Sequence, residues 1–367
     1  MQDIRIARWA HTLVHYCLYL KPGDILTINT SPLAAPLVEA VYGEALRAGA
    51  HPIPVIGLDH LDEILLKEGS DEQLSWISPV SQMLAERATA QLTINTASNT
   101  RALSNIDPAR LAIRQRAARA FMQTRRQREQ AGEFRWCLTL YPTSALAQDA
   151  SMSLREFEEF VLATCFLNDA DPIVRWKELS EQQQRLVDWL AGHEKVRVIG
   201  EDTDLTLSIK DRIFINSDGK RNFPSGEVFT SPVEDSANGK IRFSVPSSLN
   251  GRGVEDIRLV FREGKVVEAS AGQGEDYLLR MLDLDQGARF LGEFAFGNNP
   301  GITRGTRNIL FDEKMGGTVH LALGASYPET GGRNQSALHW DMVCDLRQSG
   351  EVWVDDTLFL KDGKILI

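Results

Sequence analysis

The first half of the chain alternates between two patterns of apolar residues. Stretches with an apolar residue every three or four positions predict amphipathic helices at 4–20, 35–48, 153–167 and 171–193, with a further long helix that starts near Asp107-Pro108. Short apolar runs between them predict strands at 24–30, 51–58, 91–97 and 135–141. Because strands alternate with helices, we predict an α/β domain with a parallel sheet and crossover helices.

The pattern changes after residue 193 to short alternating runs separated by Gly, Asn and Asp, at 195–200, 204–210, 212–220, 239–247 and 256–270. Such runs predict antiparallel hairpins. A chain of 367 residues is too long for one ordinary core, so we predict two domains. The N-terminal α/β domain spans 1–192. A C-terminal mixed α+β domain, rich in antiparallel strands, spans 193–367.

Composition and charge narrow the class of protein. The chain has 43% apolar and 25% charged residues, as a globular enzyme has, and its net charge of -10 argues against nucleic acid as a partner. Eight arginines lie between residues 101 and 128 and could form a nucleic-acid face. The favoured interpretation is a solvated helix that pairs with acidic surface elsewhere.

Targeting signals are also missing from the pattern. Charges are spread through the N-terminus, and no apolar run approaches the roughly 18 residues that a membrane span requires. The four cysteines show no CxxC spacing, which favours buried thiols in a reducing compartment. We therefore expect a cytoplasmic protein with no membrane partner.

Candidate chemistry lies in two strand-like segments near the C-terminus. Residues i and i+2 of a strand point to the same side. His320 in TVHLAL therefore shares a face with small residues, opposite an apolar face. His339 and Asp341 likewise project together while Trp340 points away. Two ligands on one strand face would form a rigid half of a metal site.

Two Gly-Glu dipeptides supply further carboxylates, at Glu227 in FPSGEVF and Glu293 in FLGEFAF. Each glutamate is flanked by apolar residues, and burying a carboxylate is costly unless a cation pairs with it. Each feature also has an ordinary explanation: a core histidine, a hydrogen-bonded His-x-Asp dyad, or a glycine turn. Together the residues indicate a site for divalent metal ions in the C-terminal domain.

Several segments resemble the thermophilic-type dinuclear-metal aminopeptidases, the family typified by aminopeptidase T and aminopeptidase S. The similarity covers nearly the whole chain, and the segments follow one another in order. They are YLKPGDILTINTSPLAAPLVEAVYGEALRAGAHPIPV, TASNTRALSNIDPAR, NFPSGEVFTSP, LGEFAFGNNPGIT, ILFDEKMGGTVHLALGASYPETGG and SALHWDM.

The resemblance implies two divalent metal ions per chain. Oxygen and imidazole ligands without a thiolate suit zinc, cobalt or manganese. It assigns their binding to five residues, Glu227, Glu293, His320, His339 and Asp341. It also implies peptide substrates, a homodimer, and a catalytic role for Tyr327, seven residues beyond the first ligand histidine.

The resemblance implies removal of N-terminal residues from peptides, and metal-activated water is the expected nucleophile. Glu293 is the expected proton acceptor, and Tyr327 the expected hydrogen-bond donor to the oxyanion. Glu329 and Glu313 are candidates for binding the substrate α-ammonium, although each also fits a solvated loop charge. Two alternatives stay open: a noncatalytic protein on the same fold, and a metallohydrolase acting on another amide or ester.

Overall fold

The computed structural model describes residues 3–249 and 251–367. The chain forms two compact units, the first of Met1–Val174 with Gly219–Phe223 and the second of Arg175–Asp218 with Pro224–Ile367. The first division along the chain therefore falls between Val174 and Arg175. The predicted position was different, between residues 192 and 193. A short later segment also belongs to unit one.

Unit one begins with a helix that changes its winding. An α-helix is followed directly by a π-helix of five residues, Leu13–Cys17, where the sequence predicted one continuous helix. A 3₁₀ turn, Pro32–Ala34, precedes the second helix. The α-helices are α1 Ile4–Thr12, α2 Ala35–Arg47, α3 His60–Glu68, α4 Asp71–Ser75, α5 Pro79–Arg87, α6 Pro108–Gln130, α7 Ser144–Asp149 and α8 Leu154–Thr164. The strands are β1 Ile25–Thr30, β2 His51–Ile56, β3 Ala90–Asn95 and β4 Arg135–Leu140.

The sheet of unit one is parallel throughout, as the alternation predicted. Its order is β2, β1, β3, β4 and then a two-residue strand, β8, formed by Asn222–Phe223. Strand β2 lies at the edge of the sheet and contains Pro52 and Pro54. The backbone N–H of His51 donates to the carbonyl of Asp24, 2.7 Å away.

Capping chemistry explains several helix boundaries. Ser153 and Glu156 form the capping box predicted before α8, each side chain bonding to the other's backbone N–H. Asp107 caps α6, and Pro108 holds its first position. The sequence did not predict α3, α4 or α5, which lie between β2 and β3.

Arginines of α6 donate hydrogen bonds to carbonyl groups at helix ends, a role that the sequence did not predict. Arg110 donates to the carbonyls of Leu66 and Gly69, at the end of α3. Arg114 donates in the same way to Trp76 at the end of α4, at 2.8 Å. Arg128 does so at the end of α5. Three arginines of one helix thus satisfy the carbonyls at the C-termini of three short helices.

Helix α9, Pro172–Leu190, crosses the division between the units, and the rest of unit two is largely β-structure. The strands are β5 Lys195–Gly200, β6 Thr203–Ser208, β7 Ile215–Ser217, β9 Glu227–Thr230, β10 Asn238–Phe243, β11 Ser247–Leu249, β12 Arg252–Arg262, β13 Lys265–Gln273, β14 Leu291–Gly297, β15 Thr318–Gly324, β16 His339–Asp345, β17 Glu351–Val354, β18 Thr357–Lys361 and β19 Lys364–Ile365. Two short helices are α10 Glu275–Leu282 and α11 Ile309–Asp312.

The described residues of unit two form two antiparallel sheets, in agreement with the predicted hairpins. The larger has the order β11, β12, β10, β6, β5, β17, β18, β19, with β13 also paired to β12. The smaller has the order β16, β15, β14, β9, β7. Their apolar faces contribute to one core, which includes Phe294, Phe296, Leu321 and Trp340 from the smaller sheet. The other face of the smaller sheet is therefore the one available for polar side chains.

Two further expectations concern cysteines and membranes. All four cysteines lie in the described part of the chain and are buried thiols outside any disulfide. Among residues 3–249 and 251–367, no helix combines the length and apolar character that a bilayer crossing requires.

Candidate metal centre

The smaller sheet of unit two places all five predicted ligands on one face. Phe294, Leu321 and Trp340 belong to the core, so the residues that alternate with them point to the other side. The structure therefore confirms the predicted strand parity. The residues on the polar side are Glu227 on β9, Glu293 on β14, His320 on β15, and His339 and Asp341 on β16.

Strand register determines which of these residues become neighbours. Glu293 pairs with Ala322, and Ala322 pairs in turn with Asp341 on the next strand. His320 pairs with Ala295. Because the alanines are small, they leave space above the sheet for the longer acidic and imidazole side chains.

The glycine before each glutamate has a backbone reason. Gly226 has a φ of 116°, and a Cβ there would lie 2.8 Å from the Cβ of Asn299. Gly292 lies at an irregularity in the β14–β15 ladder, and a Cβ there would lie 2.1 Å from the carbonyl oxygen of Ala325. Both Gly-Glu dipeptides thus mark positions where only glycine allows the backbone path that orients the glutamate.

The five ligand candidates converge on Glu293. Its Oε1 lies 3.5 Å from His320 Nε2, and its Oε2 lies 3.3 Å from His339 Nε2. Glu227 Oε2 is 3.5 Å from His320 Nε2, and Asp341 Oδ2 is 3.5 Å from His339 Nε2. Glu293 therefore stands between two overlapping groups, one with Glu227 and His320, the other with His339 and Asp341.

Hydrogen bonding defines the tautomer of His339. Its Nδ1 lies 2.8 Å from the carbonyl oxygen of Ala325, which can only accept, so Nδ1 carries the proton. The lone pair of the neutral ring is then on Nε2, which faces Glu293 and Asp341. A backbone carbonyl that holds the far nitrogen is the usual support for a metal-binding imidazole.

Orphaned atoms test whether a cation fits here. Within the part of the chain that the structure describes, Glu227 Oε2 and Asp341 Oδ1 are buried without a hydrogen-bond partner. Buried carboxylate oxygens are normally paired, because leaving one unpaired is costly. Oxygen and imidazole donors suit a divalent cation of borderline hardness. The residues present therefore fit the group that the resemblance implies.

The pKa values reflect the crowding of charge. Burial raises the pKa of Glu293, but the imidazoles of His320 and His339 outweigh it and hold the pKa at about 2. Burial lowers the pKa of each histidine, yet the nearby carboxylates raise it to about 9 for His320 and about 10 for His339. Without a metal ion, protons on the imidazoles thus balance the carboxylates. Divalent cations would take over this role and displace them.

Two residues at the site were missed or assigned differently from the sequence. Glu313 can offer an oxygen within 4.8 Å of ligand atoms of His320 and Asp341, which makes it a candidate sixth ligand. Lys314 is completely buried, pairs with Glu313, and lies 3.6 Å from Glu227 Oε1. Nothing in the sequence around Lys314 indicated burial. Glu313 stood out only as a carboxylate near His320.

The two other predicted residues lie on one loop after β15. Tyr327 has its Oη 3.3 Å from His339 Nε2, and its ring packs against Phe229, with centroids 5.2 Å apart. Burial, followed by the nearby carboxylates, raises the pKa of Tyr327, so its hydroxyl stays protonated. Glu329 lies on the 3₁₀ turn Pro328–Thr330 and is exposed. The structure thus brings Tyr327 to the cluster and leaves Glu329 outside it.

Comparison with known proteins gives relatives along almost the full length. Aminopeptidase 2 of Geobacillus stearothermophilus is 30% identical over 97% of this chain and 94% of its own. Aminopeptidase T of Thermus thermophilus is 28% identical over 92% of this chain and 91% of its own. Aminopeptidase AmpS of Bacillus subtilis is 26% identical over 88% and 84%.

The fold has a solved counterpart. The structure of wild-type AmpT from Thermus thermophilus superposes with a TM-score of 0.86 over 99% of both chains, at 23% identity. The family described as thermophilic metalloprotease (M29) matches residues 2–358. The chain therefore belongs to the thermophilic metalloprotease family M29, and by that membership it is a metal-dependent aminopeptidase.

Proposed function

We propose that each chain binds two divalent cations in the cluster on the smaller sheet of unit two. The observation that supports this most strongly is the position of Glu293, with one oxygen near each imidazole. One cation would be held by Glu227, Glu293 and His320, the other by Glu293, His339 and Asp341. The donors are oxygens and imidazole nitrogens, so zinc, cobalt and manganese are the proposed metals.

Glu313 is proposed as an additional ligand, shared between the two positions. A carboxylate oxygen of Glu313 lies within 4.8 Å of the ligand atoms of His320, from the first group, and Asp341, from the second. Burial is the main cause that raises the pKa of Glu313, and a cation would favour its ionised form. The sequence suggested that Glu313 binds the substrate α-ammonium; we propose instead that it binds metal.

The reaction proposed is removal of single residues from free peptide N-termini. Bound divalent cations supply Lewis acidity, which polarises a carbonyl and lowers the pKa of water. Tyr327 keeps its proton and would donate a hydrogen bond to the oxyanion that forms at the scissile carbonyl. A carboxylate of the cluster would accept the proton from water and return it to the leaving amine.

Two carboxylates are candidates for that proton acceptor. The sequence favoured Glu293, which would also serve as a metal ligand because one of its oxygens lies near each imidazole. Glu313 is the other candidate. Its pKa is raised, whereas the pKa of Glu293 is about 2, and a carboxylate with a higher pKa accepts a proton more readily. Glu293→Gln and Glu313→Gln are compared for turnover and for metal content. The variant that loses turnover while two metal ions stay bound identifies the acceptor, whereas loss of metal identifies a carboxylate that is needed as a ligand.

A paired substrate tests the exopeptidase assignment. The metal-loaded protein is given a peptide and the same peptide with an acetylated N-terminus, because acetylation removes the charge of the amine. We expect release of single residues from the free peptide only, and loss of the activity in a chelator. Equal cleavage of both peptides would contradict the aminopeptidase reaction, even if metal is bound.

The alternatives predict other results. A noncatalytic protein that keeps this fold but has lost its metals would contain no metal by mass spectrometry and would cleave no member of a panel of aminoacyl substrates. A hydrolase for another amide or ester would respond to metal but prefer a different member of a broader panel.

We also propose a homodimer and a cytoplasmic location. The location is supported by four buried thiols outside any disulfide, as expected in a reducing compartment. The dimer rests on the family resemblance.

A further inference from the structure

We propose a second divalent-metal site in unit one, formed by His11, His15 and Glu44. His11 Nδ1 and His15 Nε2 lie 2.9 and 2.7 Å from the same oxygen, Glu44 Oε1. Each of the three side chains offers a ligand atom, and these atoms lie within 4.8 Å of one another. Two imidazoles and a carboxylate around one point form a common ligand set for borderline metal ions.

The local backbone explains why these side chains meet. His11 lies in the last turn of α1, and His15 lies four residues later in the π-helix Leu13–Cys17. Residues four apart share one face of a helix, and the two imidazole rings lie 4.4 Å apart between centroids. Glu44 approaches this face from α2. Single-turn π-helices are rare and are frequently found at functional sites.

The cluster differs from the centre on the smaller sheet in its access to solvent. The side chains of His11 and His15 are 54% and 36% exposed, whereas that of Glu44 is 13% exposed. A cation held by the three would keep open positions for water. It would also connect α1 to α2, and binding to the folded state alone stabilises that state by mass action.

The charge of Glu44 supports the same assignment. Burial raises its pKa, but hydrogen bonds from His11, Arg47 and His15 outweigh it and hold the pKa at about 2. The carboxylate is therefore ionised at neutral pH, which is the form that binds a metal ion. Arg47 donates through Nε to Oε2 at 2.9 Å, which leaves Oε1 to the histidines. The Arg47 side chain is 69% exposed and is free to turn away from a bound cation.

Zinc titration of the full, chelator-stripped chain tests this site. We expect His15→Gln and His11→Gln each to bind one zinc ion fewer per chain than the wild type, by calorimetry and by metal analysis. His60→Gln is the matched control, because His60 is an exposed histidine of the same unit outside the cluster. The control should bind as many zinc ions as the wild type.

Arg47→Gln separates metal binding from a purely structural role of the cluster. Removing a cation beside Glu44 should tighten zinc binding at this site, whereas loss of a structural ion pair would leave zinc affinity unchanged. The added zinc should also raise the thermal midpoint of the wild type more than that of His11→Gln. Equal zinc stoichiometry and affinity in wild type, His11→Gln and His15→Gln would overturn the proposal.

Discussion

At the residue scale, the candidate metal centre shows how much can be predicted from the alternation of side chains between the two faces of a strand. Alternation alone predicted that His320 would face away from the core and that His339 and Asp341 would project together. Alternation could not predict that Lys314 is buried, because the loop after α11 has no regular pattern of apolar and polar residues. The buried position of that lysine depends on where the loop meets Glu227, which only the folded chain defines.

The pair on β16 gives the first prediction. His339→Ala or Asp341→Ala should empty one of two metal positions and leave the other, because Glu227, Glu293 and His320 stay in place. Metal content per chain is measured beside circular dichroism. His193→Ala, outside the cluster, is the control. Unchanged metal content in both β16 variants would show that the site is misplaced.

Tyr327→Phe should retain the metal ions and lose turnover. If the hydroxyl donates to the oxyanion, kcat should fall by roughly 10²–10³-fold. The ring packing against Phe229 is kept, so the loop should keep its position. Metal analysis and steady-state kinetics give the two quantities. A wild-type kcat would remove Tyr327 from the mechanism.

Lys314→Met should destabilise the metal-free protein. The substitution keeps most of the volume but removes the cation buried beside Glu227 and Glu313. Breaking a buried pair in this way costs about 3–5 kcal/mol. Urea unfolding in a chelator measures the loss, and added zinc should recover part of it.

Lys361→Met is the control for Lys314→Met. Lys361 pairs with Glu351 at 3.2 Å but is half exposed. An exposed pair contributes little to stability, because water and salt screen it, so this variant should unfold close to the wild type. An equally small effect of Lys314→Met would mean that the buried carboxylates do not need the ammonium.

At the scale of elements, the sequence predicted the helices and strands that have a regular apolar period. It missed the short helices that are stabilised by contacts with another segment. Four of the five strands of the parallel sheet and the helices α2, α6, α8 and α9 follow from apolar periodicity and caps. Helices α3, α4 and α5 are short, and isolated helices of that length are marginal in water. Their C-terminal carbonyls are satisfied by arginines of α6, a contact between segments about 40 residues apart.

Arg128 makes this dependence testable. Its Nη1 donates to the carbonyls of Ala85 and Ala88, at 2.8 and 2.7 Å, at the end of α5. Arg128→Met should reduce the free energy of unfolding by about 1.5–3 kcal/mol, the usual contribution of a hydrogen bond to a charged group. Arg126→Met, at an exposed position of the same helix, should change it by less than about 0.5 kcal/mol. Equal effects in urea unfolding would count against the capping role.

At the scale of the whole molecule, the length of the chain predicted two domains, and the pattern of apolar residues predicted the class of each. The division along the chain was harder to predict, because α9 reads as a continuation of the helical half. Its residues from Arg175 onwards nevertheless belong to unit two, and Gly219–Phe223 returns to add a strand to the parallel sheet. A two-residue strand has no periodicity from which it could be predicted.

The oligomeric state is a prediction at this scale. We expect a homodimer at micromolar concentration, measured by light scattering after size exclusion, in both chelated and metal-loaded protein. A stable monomer under both conditions would contradict the expectation.

The edge strand β2 limits how two copies could join. The N–H groups of His51 and Gly57 point inwards, to Asp24 and Thr30 of the adjoining chain segment. Alternation therefore turns the positions of Pro52 and Pro54 outwards, where proline offers no N–H. A second chain cannot extend the sheet through this edge with a regular ladder. The same two prolines that keep association away from this edge also protect the sheet from amyloid-like growth, so their replacement would expose the chain to aggregation.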